Sequence, residues 1–160
     1  MEITLKNIKH SEFASQETHC FEATIYIDGK KAGQVRNDGQ GGCNFYSPHT
    51  IEEAINTYAR TLPPTIYEYG GESMTIEQDA DVLVGDILTK WLIARDLKRA
   101  MNKKIIFVDS GGEIRETKTL AKNLLELFLS QPEKLKHLRA EKILNLLPFA
   151  EALSVYQSRG

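Results

Sequence analysis

The sequence has few residues of the kinds that cross-link a protein or hold it in a membrane. It contains two cysteines, Cys20 and Cys43, among 160 residues. This low content fits a reducing compartment better than a disulfide scaffold, although a bond between the two stays open if the chain folds them together. No apolar run approaches the roughly 18 residues of a membrane-spanning helix, and the N-terminus lacks the apolar core of a signal peptide. We therefore expect a cytoplasmic protein with no membrane partner.

The usual spacings of catalytic and metal-binding motifs are also missing. The chain has no Gly-Lys-Ser/Thr phosphate-binding loop, no dinucleotide fingerprint, and neither a CxxC nor an HxxxH pair. A zinc site built from His19, Cys20, Cys43 and His49 is conceivable. However, neighbouring residues of a strand point to opposite faces, which would separate His19 from Cys20. We therefore expect no metal, no cofactor and no catalytic residues.

Enzymatic activity stays open as a third alternative. Acid–base or nucleophilic chemistry needs a positioned pair of groups. A Cys20–His49 dyad can be drawn, and a hydrolase or metalloenzyme would centre on Cys20, Asp38 and His49. Nothing in the spacing favours that pairing, so the balance favours a non-enzymatic protein.

The most distinctive stretch that the sequence does contain is a hairpin followed by a run of glycines. Apolar and polar residues alternate over 20–27, as in a half-buried strand, and Asp28-Gly29 is a hairpin-turn signal before a returning strand to residue 36. The glycine loop, residues 37–42, comes next. Its backbone N–H groups can form an anion nest, and the alternative is a wide turn that only closes the hairpin. The candidate binding residues in this loop are Asn37, Asp38, Gly39, Gly41 and Gly42.

Further strands are predicted on both sides of this hairpin. Residues 2–8 alternate as a first strand, which with the hairpin suggests an antiparallel meander. Residues 65–73 are interpreted as an exposed loop or a short edge strand. A second hairpin is predicted over residues 105–118, around a turn with two glycines, and it either extends the first sheet or makes a small sheet of its own.

Helical periodicity dominates the second half of the chain. Thr50 is the predicted N-cap of a first helix, with Glu53 completing a capping box. Apolar residues recur every three or four positions across 79–103, which predicts the longest helix, with Trp91 as a core anchor. The remaining predicted helical segments are 120–129, 132–138, 140–147 and 148–157.

These elements predict an α+β fold. An antiparallel sheet, formed by the N-terminal meander and the second hairpin, would pack against the helix at 79–103, with helices to the C-terminus. The composition, 41% apolar and 26% charged, is that of an ordinary globular protein. We expect one domain over residues 1–160, or two lobes of which 1–78 is strand-rich and 79–160 helix-rich.

Charge is unevenly divided along the chain. Residues 1–89 contain 6 Lys and Arg against 14 Asp and Glu, whereas residues 90–142 contain 13 against 7. Such asymmetry indicates either a partner surface or mutual attraction within the fold. The candidate acidic surface consists of Glu68, Glu72, Glu77, Asp79 and Asp81. The candidate basic surface consists of Arg95, Lys98, Arg99, Lys103 and Lys104.

Each charged surface suggests a class of partner. The basic surface can follow the phosphate backbone of a nucleic acid, and its alternative is a solvated helix end that complements the helix dipole. The acidic surface can compete with nucleic acid for the basic channel of another protein, and its alternative is an ordinary exposed loop and helix start.

Four short motifs resemble the opening of a family of small, mostly uncharacterised proteins of phages, prophages and mobile elements. The motifs are KHSEFAS at 9–15, CFEA at 20–23, DGK at 28–30 and NDGQGG at 37–42. The resemblance implies no established activity and no catalytic residues. It implies a setting, because accessory proteins of mobile elements often bind and block host machinery, as anti-CRISPR and other anti-defence proteins do.

We therefore expect a non-enzymatic accessory protein that binds a host protein or protein–nucleic-acid complex in the host cytoplasm, such as a CRISPR-Cas nuclease of host defence. The alternative is a nucleic-acid- or nucleotide-binding protein that uses the glycine loop and the basic surface. The oligomeric state is not predicted.

Overall fold

The computed structural model of the chain describes residues 1–159, whose helices and antiparallel sheets confirm the α+β fold. These residues divide into two compact units, Met1–Lys90 and the residues from Trp91 on. The boundary lies within the longest helix. Over residues 1–159, no helix combines the length and the apolarity that crossing a membrane requires.

An antiparallel meander opens the first unit and confirms the predicted hairpin. Asp28 and Gly29 both have positive φ, 51° and 79°, as the favoured two-residue hairpin turn requires. Asp28 Oδ1 also accepts the N–H of Glu2 at 2.8 Å, which ties the turn to the start of the chain. Four strands pair in chain order: β1 (Ile3–Ser11), β2 (Cys20–Ile27), β3 (Lys30–Asp38) and β4 (Phe45–Ser47).

The apolar residues of the meander alternate as the sequence predicts. Phe21, Ala23 and Ile25 are buried along one side of β2, and Val35 is buried on β3. The helices of the first unit are α1 (Thr50–Ala59) and the first half of α2 (Ala80–Met101). Their buried residues recur at helical spacing: Ile51, Ile55, Ala59, Ala80, Val84 and Leu88.

The predicted capping box of helix α1 is wrong. His49 occupies the N-cap position and makes no side-chain capping bond, while Thr50 is already helical. His49 Nδ1 instead lies 3.1 Å from Glu52 Oε2. The N-cap position therefore falls one residue before the predicted one.

Residues 65–76 form a two-stranded sheet of their own, which we call the ribbon. Its strands are β5 (Thr65–Tyr69) and β6 (Glu72–Ile76), paired antiparallel. The sequence interpretation of 65–73 as a loop or an edge strand did not include this pairing. At its base, Gln78 Nε2 donates to Thr65 Oγ1 at 2.7 Å.

The second unit contains a three-stranded sheet around a buried strand. β7 (Ile106–Val108) lies between β8 (Ile114–Glu116) and β9 (Lys142–Ile143). The predicted second hairpin is therefore present, but it belongs to a separate sheet and does not extend the meander. Asp109 organises its turn, because Oδ1 accepts the N–H groups of Gly111 and Glu113. Arg115, which donates to Oδ2 at 2.9 Å, is the main cause of a lowered pKa of Asp109.

The helices of the second unit are α3 (Lys122–Ser130), a 3₁₀ segment (Pro132–Leu138) and α4 (Phe149–Arg159). The helix predicted over 140–147 is wrong, since this stretch contains β9 and one 3₁₀ turn. Asn145 explains the difference: its Oδ1 accepts the N–H of Ile106 at 2.8 Å, and its Nδ2 donates to the carbonyls of Met101 and Lys104. The predicted core anchor Trp91 is only half-buried, and Arg95 lies over its ring.

Candidate functional site

The glycine loop is held by internal hydrogen bonds. Three successive N–H groups donate to side-chain oxygens within 3.3 Å: Gly39 to Asn37, Gln40 to Asp38 and Gly41 to Thr18. An anion nest needs successive N–H groups that point at the ligand. Because these three already have acceptors inside the protein, the geometry favours the alternative, a structural turn.

Asn37 is the centre of this network and is only 6% exposed. Its Oδ1 also accepts the hydroxyl of Thr18 at 2.7 Å. Its Nδ2 donates to the carbonyl of Gly42 at 3.3 Å and to Oδ1 of Asn44 at 3.0 Å. Both polar atoms of the buried amide are therefore satisfied, as buried polar groups generally must be.

Gly39 joins the loop to the connection between β1 and β2, residues 12–19. Its carbonyl accepts three backbone N–H groups within 3.4 Å, those of Gln16, Glu17 and Thr18. Its φ is +83°, and a Cβ there would strike the carbonyl oxygen of Ala14 and lie 2.9 Å from Cβ of Cys20. Glycine is therefore required for the backbone conformation and for the close approach.

A shallow groove of about 460 Å³ lies over one end of the meander. Lys9 and Glu22 form an ion pair of 3.0 Å at its side. Arg36 lies over the ring of Phe45, 5.6 Å from its centroid. Lys9 and Glu22 therefore neutralise each other, whereas Arg36 makes a cation–π contact that leaves its charge in place.

The structure assembles neither the Cys20–His49 dyad nor the zinc set, although Cys20 and Asp38 lie opposite each other in the pairing of β2 with β3. Among residues 1–159, Cys20 and Cys43 are both free thiols, and His49 interacts with Glu52 rather than with Cys20. No group of three His, Cys, Asp or Glu side chains in this part of the chain could hold a metal ion. The sequence-predicted set of His19, Cys20, Cys43 and His49 is therefore not brought together.

The candidate acidic surface divides into two sets. The first, Asp79 and Asp81, lies at the start of α2 and forms hydrogen bonds within the protein. Asp79 accepts the N–H of Val82 at 2.8 Å and so caps α2. Asp81 is half-buried, and its carboxylate accepts the N–H of Asn44 at 3.1 Å and the hydroxyl of Tyr46 at 2.7 Å. Burial, together with the nearby Asp81, raises the pKa of Tyr46, so this hydroxyl keeps its proton.

The other acidic set lies on or next to the ribbon and is exposed: Glu68, Glu72 and Glu77. Directly opposed residues of an antiparallel pair share a face, so the pairs Tyr67–Met74 and Tyr69–Glu72 lie on one side of the ribbon. This ribbon face is apolar for most of its length.

The ribbon face is open to solvent. Tyr67 is 51% exposed, Tyr69 is 87% exposed and Met74 is 59% exposed, while Ile66 is exposed on the opposite side. Beyond the pairing of its own two strands, no helix or strand of the first unit makes an extensive contact with the ribbon. It is therefore a hairpin with a largely exposed apolar side that has few contacts with the other elements of its unit.

The candidate basic surface is reduced by pairing. Arg95 Nη2 lies 2.9 Å from Asp96 Oδ1, and Lys104 Nζ lies 2.6 Å from Glu116 Oε1. Three exposed cations remain at and just after the end of α2: Lys98, Arg99 and Lys103.

Sequence reasoning identified the acidic residues of the ribbon but missed its apolar ones. A signal was present, because Tyr67 and Tyr69 alternate before Gly70-Gly71, a pair typical of two-residue hairpin turns. Both glycines have positive φ, 61° and 84°. The returning strand, with Ser73 and Thr75 around Met74, has too few apolar residues to be recognised by alternation alone.

Comparison with family models, curated proteins and solved structures finds no match for this chain. Its function is therefore inferred from its own geometry.

Proposed function

We propose that this is a non-enzymatic binding protein that docks on another macromolecule through its ribbon. The observation that carries the proposal is the apolar ribbon face, with Tyr67, Tyr69 and Met74 all more than half exposed. An isolated two-stranded hairpin is marginally stable in water, and apolar side chains grouped on a surface often mark an interaction site. A partner that covers this face would bury the three side chains and stabilise the hairpin.

The residue types on this face suit a protein partner. Tyrosine and methionine are enriched at protein–protein interfaces, and tyrosine is common among the residues that carry most of the binding energy. A tyrosine contributes a large apolar ring and a hydroxyl with few rotatable bonds, so it loses little conformational entropy when it is fixed.

The charge of the ribbon suits a basic partner surface. Glu72 lies on the apolar ribbon face, Glu77 follows the ribbon directly, and Glu68 lies on the opposite side; all three are exposed, and the residues of the ribbon include no Lys or Arg. Carboxylates at the edge of an interface speed association with a positively charged surface and disfavour acidic partners. A channel that normally binds nucleic acid is one such surface.

We further propose the setting that the motif resemblance implies. The protein would be an accessory protein of a phage or mobile element that acts in the host cytoplasm on a host protein or protein–nucleic-acid complex. A defence nuclease such as CRISPR-Cas has the basic nucleic-acid channel that an acidic ribbon would occupy. The acidic, apolar ribbon supports this proposal.

The test is a pull-down of the tagged full chain from host lysate, with half of each sample treated with nuclease, followed by a binding titration with the purified partner. We expect one stoichiometric protein that survives nuclease treatment. The triple variant Tyr67→Ser, Tyr69→Ser, Met74→Ser should lose it. The matched control is Phe13→Ser, because Phe13 is an aromatic residue outside the ribbon that is 95% exposed.

Two results would contradict this proposal. Equal affinity of the ribbon variant and the wild type would move the interface elsewhere on the chain. Loss of binding in Phe13→Ser but not in the ribbon variant would assign the interface to the connection between β1 and β2.

Nucleic-acid binding is the second candidate, supported by the three exposed cations at the end of α2. If the chain binds nucleic acid through these cations, its affinity should fall steeply as the salt concentration rises, because each neutralised phosphate releases counterions. Lys98→Glu with Arg99→Glu should weaken it and lower the slope of that dependence. Binding that ignores salt, or that survives this double reversal, would dismiss the candidate.

A further inference from the structure

Two histidines at one end of the meander lie against each other. His10 Nε2 and His19 Nδ1 are 3.1 Å apart, and their ring centroids are 5.2 Å apart with the planes tilted by 58°. We propose that this histidine pair is a binding site for one divalent transition-metal ion of the Zn²⁺ or Ni²⁺ type. This site is distinct from the ribbon, and the proposal does not depend on the binding function proposed for the ribbon.

The strand register explains why the two rings meet. His10 lies opposite Phe21 in the pairing of β1 with β2, and His19 directly precedes β2. Residues two apart on a strand share a face, so His19 is expected on the side of Phe21, diagonally across from His10. Cys20 is expected on the other side, which is why the zinc set predicted from the sequence does not form around His19.

The connection between the two histidines is fixed by other bonds. Ser15 Oγ donates to the carbonyl of Ser11 at 2.6 Å and accepts the N–H of Cys20 at 2.8 Å. The carbonyl of Gly39 fixes the following residues, 16–18. A pair held in place before the ion arrives loses less conformational entropy on binding it.

The distance between the nitrogens suits two ligands of one ion. Two nitrogens that each lie about 2.05 Å from an ion are about 2.9 Å apart at a right angle and about 3.4 Å apart at the tetrahedral angle. The observed 3.1 Å lies between these values. Without metal, one nitrogen must donate a proton to the other. A small rotation of each ring would direct both lone pairs at an ion, provided that the ring which donated changes tautomer and carries its proton on its other nitrogen.

The ligand type selects the metal. Neutral imidazole nitrogen suits Zn²⁺, Ni²⁺ and Cu²⁺, whereas Mg²⁺ and Ca²⁺ prefer oxygen ligands. In the described chain no third His, Cys, Asp or Glu completes a set with the histidine pair. Water would therefore fill the remaining positions, with the Ser15 hydroxyl nearby, 3.4 Å from His10 Nε2. Such a site keeps open coordination positions and releases its ion more readily than a four-ligand structural site.

The test is a calorimetric titration of the full chain with Ni²⁺, repeated with Zn²⁺. Cys43→Ser serves as the background so that the exposed thiol does not compete for the metal. We expect one ion per chain, and we expect His19→Ala to weaken binding by at least about tenfold. His49→Ala is the matched control, since His49 is also an exposed histidine of the first unit and should keep the affinity.

Thermal unfolding supplies a second readout. An ion that binds only the folded chain raises the melting temperature, so Ni²⁺ should raise it in the background and in His49→Ala but not in His19→Ala. Absence of saturable binding, or equal affinity in His19→Ala, would overturn the proposal. His19→Gln repeats the test if circular dichroism shows that His19→Ala has not folded.

Discussion

The glycine loop and the tip of the ribbon both contain adjacent glycines with positive φ, but their surroundings differ. The glycine loop, residues 37–42, forms hydrogen bonds with the connection between β1 and β2, and at Gly39 there is no room for a Cβ. At Gly70 and Gly71 a Cβ would meet nothing within 4 Å. One turn is bonded to another segment of its unit, whereas the other closes a hairpin that is exposed to solvent.

This difference shows what a cluster of glycines does and does not indicate. Glycine marks a backbone conformation or a close approach, and both turns need the former. Whether the neighbouring N–H groups are free to bind a ligand depends on acceptors elsewhere in the chain. In the glycine loop those acceptors are the side chains of Thr18, Asn37 and Asp38.

The largest effect that would test this comparison is expected for Gly39→Ala. It combines a left-handed backbone with a steric clash against the connection between β1 and β2, so we expect a loss on the order of 3 kcal/mol or more in the free energy of unfolding. Gly42→Ala is the matched control, because its φ of +89° is similar but its Cβ would be in open space. It should cost about 1–2 kcal/mol. Equal losses in urea titrations of the two variants would mean that the close approach at Gly39 is unimportant.

Asn37→Ala should have the next largest effect. It removes the acceptor of the Gly39 N–H and of the Thr18 hydroxyl, and the donor to Gly42 and Asn44. We expect a loss of about 2–3 kcal/mol, since buried polar groups are left without partners. Urea unfolding measures this loss, and Asn123→Ala, at an exposed asparagine of helix α3, is the control that should stay near the wild type. A wild-type midpoint for Asn37→Ala would contradict the central role of this amide.

Gly71→Ala should have the smallest effect on the whole molecule. It strains only the tip of the ribbon, so the global free energy of unfolding should change by less than about 0.5 kcal/mol. Amide hydrogen exchange should nevertheless become faster across β5 and β6, because the turn that pairs them is weakened. A large global loss, or exchange that speeds up along β2 and β3 instead, would show that the ribbon is integral to its unit.

Local sequence patterns determine much of the fold, which was therefore predictable. The meander follows from alternation on β2 and from the Asp28-Gly29 turn, and the observed helix Ala80–Met101 follows from apolar spacing over 79–103. Each of these signals lies within the element that it defines. Helix ends were less accessible, as the shift of the cap from Thr50 to His49 shows.

The parts that escaped prediction depend on side chains distant in sequence. Asn145 sets the non-helical course of its segment by bonding Met101, Lys104 and Ile106, and no pattern within 140–147 reports those partners. The same holds for the glycine loop, because the hydrogen bonds that make it a structural turn include those of Thr18. The histidine pair required the register of β1 against β2, which the sequence does not specify across the connection between them.

The three hydrogen bonds that the Gly39 carbonyl accepts also suggest the order in which parts of the meander fold. That carbonyl lies just past the end of β3, whereas its three donors lie before the start of β2. Full pairing of the hairpin at Asp28-Gly29 brings the two segments together, and local pairing of this kind is faster than distant closure, so we expect the hairpin to form first. The connection between β1 and β2 should therefore be a late segment of the meander to become ordered, with the histidine pair completed at the same time.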